Sequence, residues 1–345
     1  MSKTVRIGNI CIGGDNPVAI QSMISIPSTD VEGSVKQAKE LENAGCEIIR
    51  AAIPDMKAID LIPALKDEIT IPLVADIHFD YRLALAAVDA GVDKIRINPG
   101  NIGDEDRIRQ VVEACGNHGI AIRVGVNGGS LEKDLLEKYG SPTAEALAES
   151  ALNNVKTLEK YGFENTVISI KSSNVKNMIG ACRLVSERCD YPIHLGVTEA
   201  GTERMGLIKN SIGIGSLLVD GIGSTIRVTL TADPIREIYA AKDILKAAGV
   251  RQFGVNIVSC PTCGRTRINL IKLANEVENA LTNCDKNITV AVMGCAVNGP
   301  GEAREADVGI AGGNGEGLLF RKGEILRKVP EEGLLEALLD EINRM

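Results

Sequence analysis

The run Leu73-Val-Ala-Asp-Ile-His-Phe-Asp-Tyr-Arg-Leu-Ala-Leu-Ala-Ala-Val-Asp-Ala-Gly-Val-Asp-Lys-Ile-Arg-Ile97 reads as strand, helix, strand. Leu73–Ala75 and Lys94–Ile97 have strand length, and Tyr81–Ala90 between them spaces its apolar residues for a helix. Gly91 stands just past that helix, where a left-handed cap favours glycine. A crossover of this kind joins parallel neighbours. The same unit recurs on both sides. Further strands are expected at Val18–Met23, Glu47–Ala51, Ala121–Val126, Thr166–Ile170, Ile193–Val197 and Thr225–Thr229. Helices are expected at Val31–Ala44, Glu105–Asn117, Ala144–Tyr161 and Pro234–Ala248, with Gly45, Gly119, Gly162 and Gly249 as their caps. Eight strand–helix units within roughly 230 residues predict an α/β chain folded as a (β/α)8, or TIM, barrel. A doubly wound sheet is the alternative, but no Gly-x-Gly-x-x-Gly opens a helix after the first strand.

The barrel is expected to occupy residues 1–249 and a smaller α/β domain residues 250–345. In the smaller domain, Phe253–Val258 and Asn287–Met293 read as parallel strands. Arg265–Leu281 reads as the helix between them, with Ile268, Ile271, Ala274, Val277 and Leu281 on one stripe. A short strand near Asp307–Ala311, a hairpin of Gly317–Phe320 with Glu324–Lys328, and a helix over Glu332–Ile342 complete it.

Cys260 and Cys263 follow the carboxyl end of the first of these strands, and Cys295 follows the carboxyl end of the second. If the strands are neighbours, three thiols meet at one edge. The first two are also expected just before a helix N-terminus, where the dipole favours thiolate. A lone Cys-x-x-Cys fits a redox dithiol or half a zinc site. Three cysteines with an oxygen ligand fit tetrahedral zinc, and thiolates equally hold iron–sulfur clusters. Spacing does not choose between the two. Cys11, Cys46, Cys115, Cys182, Cys189 and Cys284 read as buried small hydrophobes.

Hydrophobic residues make up 44% of the chain and charged ones 24%, as in a globular protein, while aromatics supply only 3%. The core must therefore rest on Ile, Leu, Val and Ala. A net charge of −8, without any polybasic run, argues against nucleic acid as the main partner. The N-terminal residues have no signal-peptide core, and no apolar run has the length of a membrane span. A cytoplasmic, reducing setting is the expectation.

Barrel active sites lie at the carboxyl ends of the strands. Asp76, His78, Asn98, Asn127, His194, Glu199 and Thr229 stand at or near such ends, together with five cations: Arg50, Arg96, Arg123, Lys171 and Arg227. Cations gathered at one mouth suit an anion with several oxygens, and Arg forks suit phosphate. The plainer reading is that each pairs with a neighbouring carboxylate and staples the barrel. The loops Gly128-Gly-Ser130 and Gly221-Ile-Gly-Ser224 add backbone amides that phosphate would accept. Glu199 is placed to exchange protons with substrate, or else to start a helix.

Taken together, Pro17-Val-Ala-Ile-Gln-Ser-Met23, Ala75-Asp-Ile-His-Phe79, Ile97-Asn-Pro-Gly-Asn-Ile-Gly103, Arg123-Val-Gly-Val-Asn-Gly-Gly-Ser130, Leu195-Gly-Val-Thr-Glu-Ala-Gly201, Ser259-Cys-Pro-Thr-Cys-Gly-Arg265 and Met293-Gly-Cys-Ala-Val-Asn-Gly-Pro-Gly-Glu302 run across nearly the whole chain. In this order they resemble the 4-hydroxy-3-methylbut-2-en-1-yl diphosphate synthase family of the methylerythritol phosphate route to isoprenoids. The resemblance implies a [4Fe–4S] cluster on Cys260, Cys263, Cys295 and Glu302, with the carboxylate as an exchangeable fourth ligand. It implies that Arg50, Arg96, Arg123, Asn127, Lys171, Arg227 and Thr229 hold a cyclic diphosphate, and that Glu199 and Glu302 serve catalysis. It also implies a flavodoxin or ferredoxin electron donor and a homodimer with a shared active site. The chain looks like the compact form, running from Gly249 into Arg251 without an insertion. Cys284 has no role in that pattern. The rival classes are a barrel lyase or transferase with a structural zinc, and a zinc-stapled binding module.

Overall fold

A computed structural model of the chain describes residues 2–282, 284–295 and 303–345. These form two compact units, Met1–Arg251 and Gln252–Met345. In the first, strands β1 (Val5–Ile7), β2 (Ile10–Ile12), β3 (Ala19–Met23), β4 (Ile48–Ala52), β5 (Leu73–Asp76), β6 (Lys94–Ile97), β7 (Ala121–Asn127), β8 (Thr166–Lys171), β9 (Ile193–Leu195) and β10 (Thr225–Ile226) appear in chain order. The helices are α1 (Val31–Asn43), α2 (Leu61–Lys66), α3 (Tyr81–Asp89), α4 (Pro99–Ile102), α5 (Glu105–His118), α6 (Lys133–Tyr139), α7 (Ala144–Glu159), α8 (Val175–Arg188), α9 (Glu203–Val219) and α10 (Pro234–Ala247). Strands β3 to β10 close into a barrel in sequence order, every pairing parallel. The expected barrel is the observed one.

The barrel interior changes character along the strands. Successive side chains alternate between the interior and the helix layer. The lowest inward residues, Ala19, Ile48, Val74, Ala121 and Val167, are apolar. Above them stand Gln21, Arg50, Asp76, Arg123 and Ser169, two residues further on. The outward positions, such as Ile49, Ala75, Ile95, Ile122, Val124 and Ile168, are fully buried beneath the helices. Gly125 makes room inside: a Cβ there would come within 2.6 Å of Arg96 Nε.

The antiparallel hairpin β1–β2 packs its Val5, Ile7 and Ile12 against the lowest inward residues and so plugs the amino end of the barrel. Sequence periodicity did not reveal it, because strands of three residues are too short to show alternation. Burying each such Val or Ile stabilises by about 1.5–3 kcal/mol.

The last barrel strand is shorter than expected, ending at Ile226 rather than Thr229. Side chains replace its ladder. Asn210 of α9 donates to Thr229 O at 3.0 Å, and Glu237 of α10 accepts from Leu230 N at 3.0 Å. At the end of this unit, the Arg251 guanidinium donates to Val18 O at 2.8 Å and to Glu47 at 2.7 and 3.0 Å. Both lie just before strands β3 and β4, so the chain leaves the barrel at its amino face.

The second unit holds β11 (Asn256–Ser259), α11 (Leu270–Leu281), β12 (Thr289–Met293), β13 (Val308–Ala311), β14 (Glu316–Arg321), β15 (Glu324–Pro330) and α12 (Leu334–Arg344). Its sheet follows chain order, parallel from β11 to β13 and antiparallel from there to β15. Val277 and Leu281 of α11 and Leu334 and Leu338 of α12 share a core with Val290, Val292 and Ile310. Ala291, Met293, Ala311 and Phe320 cover the opposite face.

Here several expectations fail. Helix α11 begins at Leu270, not Arg265, with the Asn269 side chain accepting from Lys272 N at 3.2 Å. The residues before it are tied into the cysteine loop: Thr266 N donates to Cys263 O at 3.0 Å and Arg267 N to Gly294 O at 3.2 Å. Ile271, expected on the buried stripe, is 64% exposed, and Leu270 takes its place. Of the cysteines read as buried, Cys46, Cys115 and Cys182 are so; Cys11 is exposed, and Cys189 and Cys284 are half-buried.

Candidate active site

A cavity of about 790 Å3 opens at the carboxyl ends of the barrel strands. Arg50, Arg96, Arg123, Asn127, Lys171, Glu199, Arg227 and Thr229, all singled out in the sequence, line it. They come from six strands or the loops that follow them, Arg123 and Asn127 both from β7 and Arg227 and Thr229 both after β10, which is how residues far apart in the chain reach one space.

The reading of the cations as staples holds for some of them. Arg50 pairs with Asp76, and Arg96 NH1 lies 3.3 Å from the same carboxylate. Burial alone would raise the proton affinity of Asp76. Arg50, with His78 and Arg96, overcomes this and holds its carboxyl well below the usual carboxylate range. His78 Nε2 lies 3.2 Å from Asp76 and its Nδ1 3.2 Å from Arg96 NH1. Because Arg96 can only donate, Nδ1 is the ring nitrogen that accepts from it, and Nε2 is the one that faces Asp76. Arg227 Nε stands 3.6 Å from Glu237.

Arg123 and Lys171 are different. Neither makes an ion pair among the described residues. Arg123 is 1% exposed and has one hydrogen bond, to Gln21 Oε1 at 3.4 Å; its Nε has none. Burial first, then Arg50 and Arg96, pushes its proton affinity well below that of a free guanidinium. Lys171, 8% exposed, is pushed well down by burial and then by Arg227 and Arg50. An anion entering the cavity would relieve both penalties.

Glu199 is exposed on the rim, with φ of +51°, a left-handed backbone that non-glycine residues seldom adopt. It does not start the following helix, since α9 begins at Glu203 with Thr202 before it. The Thr229 hydroxyl donates to Val197 O.

The two glycine loops part company. Gly128, Gly129 and Ser130 line the cavity, whereas Gly221 to Ser224 precede β10 and border a separate hollow at the amino face. His194 is fully buried below the cavity, and Asn98 caps α4, accepting from Gly100 N at 3.2 Å. Unforeseen lining residues are Ser141, Pro142, Ser172, Asn174, Asn177 and Thr198. Asn174 caps α8 by accepting from Asn177 N at 3.1 Å, so the positive end of that helix faces the cavity. A polar residue directly after Lys171 and before an amphipathic run was the available signal.

In the second unit, the parallel pairing sets Ser259 opposite Val292, which brings Cys260 and the loop after Met293 to one sheet edge. Gly294 N donates to Cys260 Sγ at 3.2 Å, which ties the first cysteine to the loop after β12. The expected help from a helix dipole is absent, because α11 starts seven residues after Cys263. Instead the Arg265 backbone amide, then its side chain, lowers the proton affinity of the Cys263 thiol. Cys260, Cys263 and Cys295 are all free thiols at least partly open to solvent. Among the described residues no three Cys, His, Asp or Glu side chains are gathered tightly enough for a single metal ion. Three free thiols brought to one edge are ligands of the kind that both zinc and iron–sulfur clusters take. Glu302 lies outside the described residues.

Residues 2–242 match the GcpE TIM-barrel domain and residues 256–344 match the GcpE protein C-terminal domain. The chain belongs to the GcpE family. A GcpE relative from Clostridium perfringens, named 4-hydroxy-3-methylbut-2-en-1-yl diphosphate synthase (flavodoxin), is 60% identical over 338 residues, 98% of this chain and 97% of its own. One of the same name from Geobacter sulfurreducens is 54% identical, covering 100% and 98% of the two chains. Among solved structures, dihydropteroate synthase from Xanthomonas albilineans aligns with a TM-score of 0.53 at 14% identity, over 72% of this chain and 99% of that one. The Yersinia pestis enzyme in complex with a sulfonamide drug gives 0.53 at 10%, over 72% and 100%. These two likenesses concern the fold alone.

Proposed function

We propose that this chain catalyses the reductive ring-opening and dehydroxylation of 2-C-methyl-D-erythritol 2,4-cyclodiphosphate to (E)-4-hydroxy-3-methylbut-2-enyl diphosphate. Two electrons and two protons enter, and one water leaves. The observation that carries this reading is the buried pair Arg123 and Lys171, without acidic partners among the described residues, at the base of a polar cavity. A diphosphate supplies the missing negative charge, and the full-length likeness to synthases of this name supports the choice of substrate.

Arg123, Lys171 and Arg227 grip the diphosphate, while Arg50 and Arg96, already shared with Asp76, orient it. Asn127 and Thr229 position the sugar-derived carbons and hydroxyls. Because Arg123 and Lys171 are almost wholly shielded from water, their attraction to phosphate is stronger than at an exposed site. Glu199, on the rim, exchanges protons with the substrate hydroxyls. Cys260, Cys263, Cys295 and Glu302 would hold a [4Fe–4S] cluster, which when bound supplies the two electrons one at a time. The donor is a flavodoxin, as in the relatives' names, or a ferredoxin.

The protein works as a cytoplasmic homodimer with a shared active site. No described helix is long and apolar enough to cross a membrane. The motifs that carry the family resemblance are what support the shared site.

Anaerobic purification tests the reading. The expected product is brown, holds about four iron and four sulfide per chain, and turns over the cyclic diphosphate with reduced flavodoxin. A colourless protein with stoichiometric zinc and no such turnover would overturn it in favour of a zinc-stapled lyase or transferase.

A further inference from the structure

Beneath the cavity lies a lysine that no step above uses. Lys94 opens β6, two residues before Arg96, and alternation puts both side chains inside the barrel. It is 0% exposed, and its Nζ has no hydrogen-bond partner among the described residues. Its register neighbours are Val74 and Ala121, which belong to the plug closed by Val5, Ile7 and Ile12. The amine is thus sealed from below and covered from above by the cation layer.

We infer that Lys94 is a proton acceptor coupled to anion binding: when a diphosphate settles on the cations above it, the buried amine takes up a proton through the cavity. This inference rests on the reading of the cavity as a diphosphate site.

The titratable or charged groups facing the barrel interior are Arg50 from β4, Asp76 from β5, Arg96 above Lys94 on β6, Arg123 from β7, Lys171 from β8, His194 from β9 and Arg227 after β10. Asp76 is the one carboxylate among them, and it is committed to Arg50 and Arg96. Burial first, then Arg123 and Arg50, pushes the proton affinity of Lys94 well below its ordinary value. A bound diphosphate offsets those two arginines and restores part of that affinity. His194 feels the same field, and its Nδ1 meets Thr225 Oγ1 at 2.8 Å. Any proton it takes up would add to the total in the chain and in the Lys94 variants alike. Lys171 opens onto the cavity and can contribute protons of its own, so the share belonging to Lys94 is the difference between the chain and its Lys94 variants.

The test is calorimetric titration of the full-length, cluster-loaded enzyme with the cyclic diphosphate, without reductant. It is run in two buffers of low and high ionisation enthalpy, over about pH 6–9. Binding should take up protons. Affinity should then fall as pH rises, by up to about tenfold per pH unit for one proton. Lys94→Met, and Lys94→Gln as a polar control of similar length, should still bind but lose at least half of the uptake and flatten the pH dependence. Buffer-independent heats with the unmodified chain, or equal uptake in the variants, would overturn the inference while leaving the diphosphate site standing. Absence of any binding overturns both. Should both variants fail to fold, the buffer comparison on the unmodified chain still decides against the inference whenever its heats coincide.

Discussion

Asn210 holds both backbone groups of Thr229: Nδ2 donates to Thr229 O at 3.0 Å and Oδ1 accepts from Thr229 N at 3.4 Å. Asn210 is fully buried on α9, so a helix side chain does the work of the ladder that β10 lacks. Asn210→Leu should leave the half-buried N–H and C=O of Thr229 without these partners. The expected cost is about 1–3 kcal/mol, read by urea unfolding, with a raised KM because Thr229 and Arg227 lose their fixed position. Unchanged stability and KM would show that the loop holds itself.

Arg123→Ala should raise KM for the cyclic diphosphate by about 30- to 150-fold, the equivalent of about 2–3 kcal/mol for desolvated, charge-assisted hydrogen bonds. Lys36→Ala, on an exposed position of α1, is the control and should change nothing. Equal kinetics for the two variants would remove the diphosphate from the barrel mouth.

Asp76 makes stability depend on pH. Its folded-state proton affinity is depressed below the unfolded value of about 3.9. Its contribution is therefore fully present above that value and is lost as pH falls below it. Asp76→Asn should destabilise at neutral pH, where Arg50 and Arg96 lose their shared carboxylate. The difference from the unmodified chain should shrink in acid. Unfolding curves at about pH 7 and pH 3 check the sign, and a gap that widens in acid would refute the assignment.

Glu302→Ala should fold but hold its cluster poorly, seen as lost visible absorbance and iron. Glu302→Cys should keep the cluster and turn over more slowly, because a thiolate exchanges less readily than a carboxylate. Full activity with an intact cluster in Glu302→Ala would mean that the fourth ligand lies elsewhere.

The dimer can be tested by mixing two dead chains. Cys260→Ser keeps its barrel site and Arg123→Ala keeps its cluster ligands. If sites are shared between subunits, mixed dimers regain one working site, and activity appears on mixing. No recovery despite subunit exchange proven by mass, or a fully active monomer, contradicts sharing.

The barrel was legible in the sequence because each strand–helix unit carries its own signal: an apolar segment of strand length, an amphipathic run and a capping glycine. The site residues were legible for a related reason. In a closed parallel barrel every strand delivers its last residues to the same face, so strand ends could be listed without coordinates. The length of β10 was not legible, because Asn210 and Glu237 reach the residues after it from distant helices. Nor was the start of α11, where hydrogen bonds to the cysteine loop override an apolar pattern that would continue the helix.

What the sequence by itself determined is the order and type of elements, the family, and which side chains could carry chemistry. Local periodicity and motif spacing are properties of short segments, and both survive without a fold. Tertiary structure alone decided which charges are paired. Arg50 and Arg96 share Asp76, while Arg123 and Lys171, drawn from other strands, find no carboxylate among the described residues. It also decided that Lys94 is sealed between an apolar plug and a layer of cations. Pairing and burial depend on distances between residues far apart in the chain, and the closing of the barrel sets those distances.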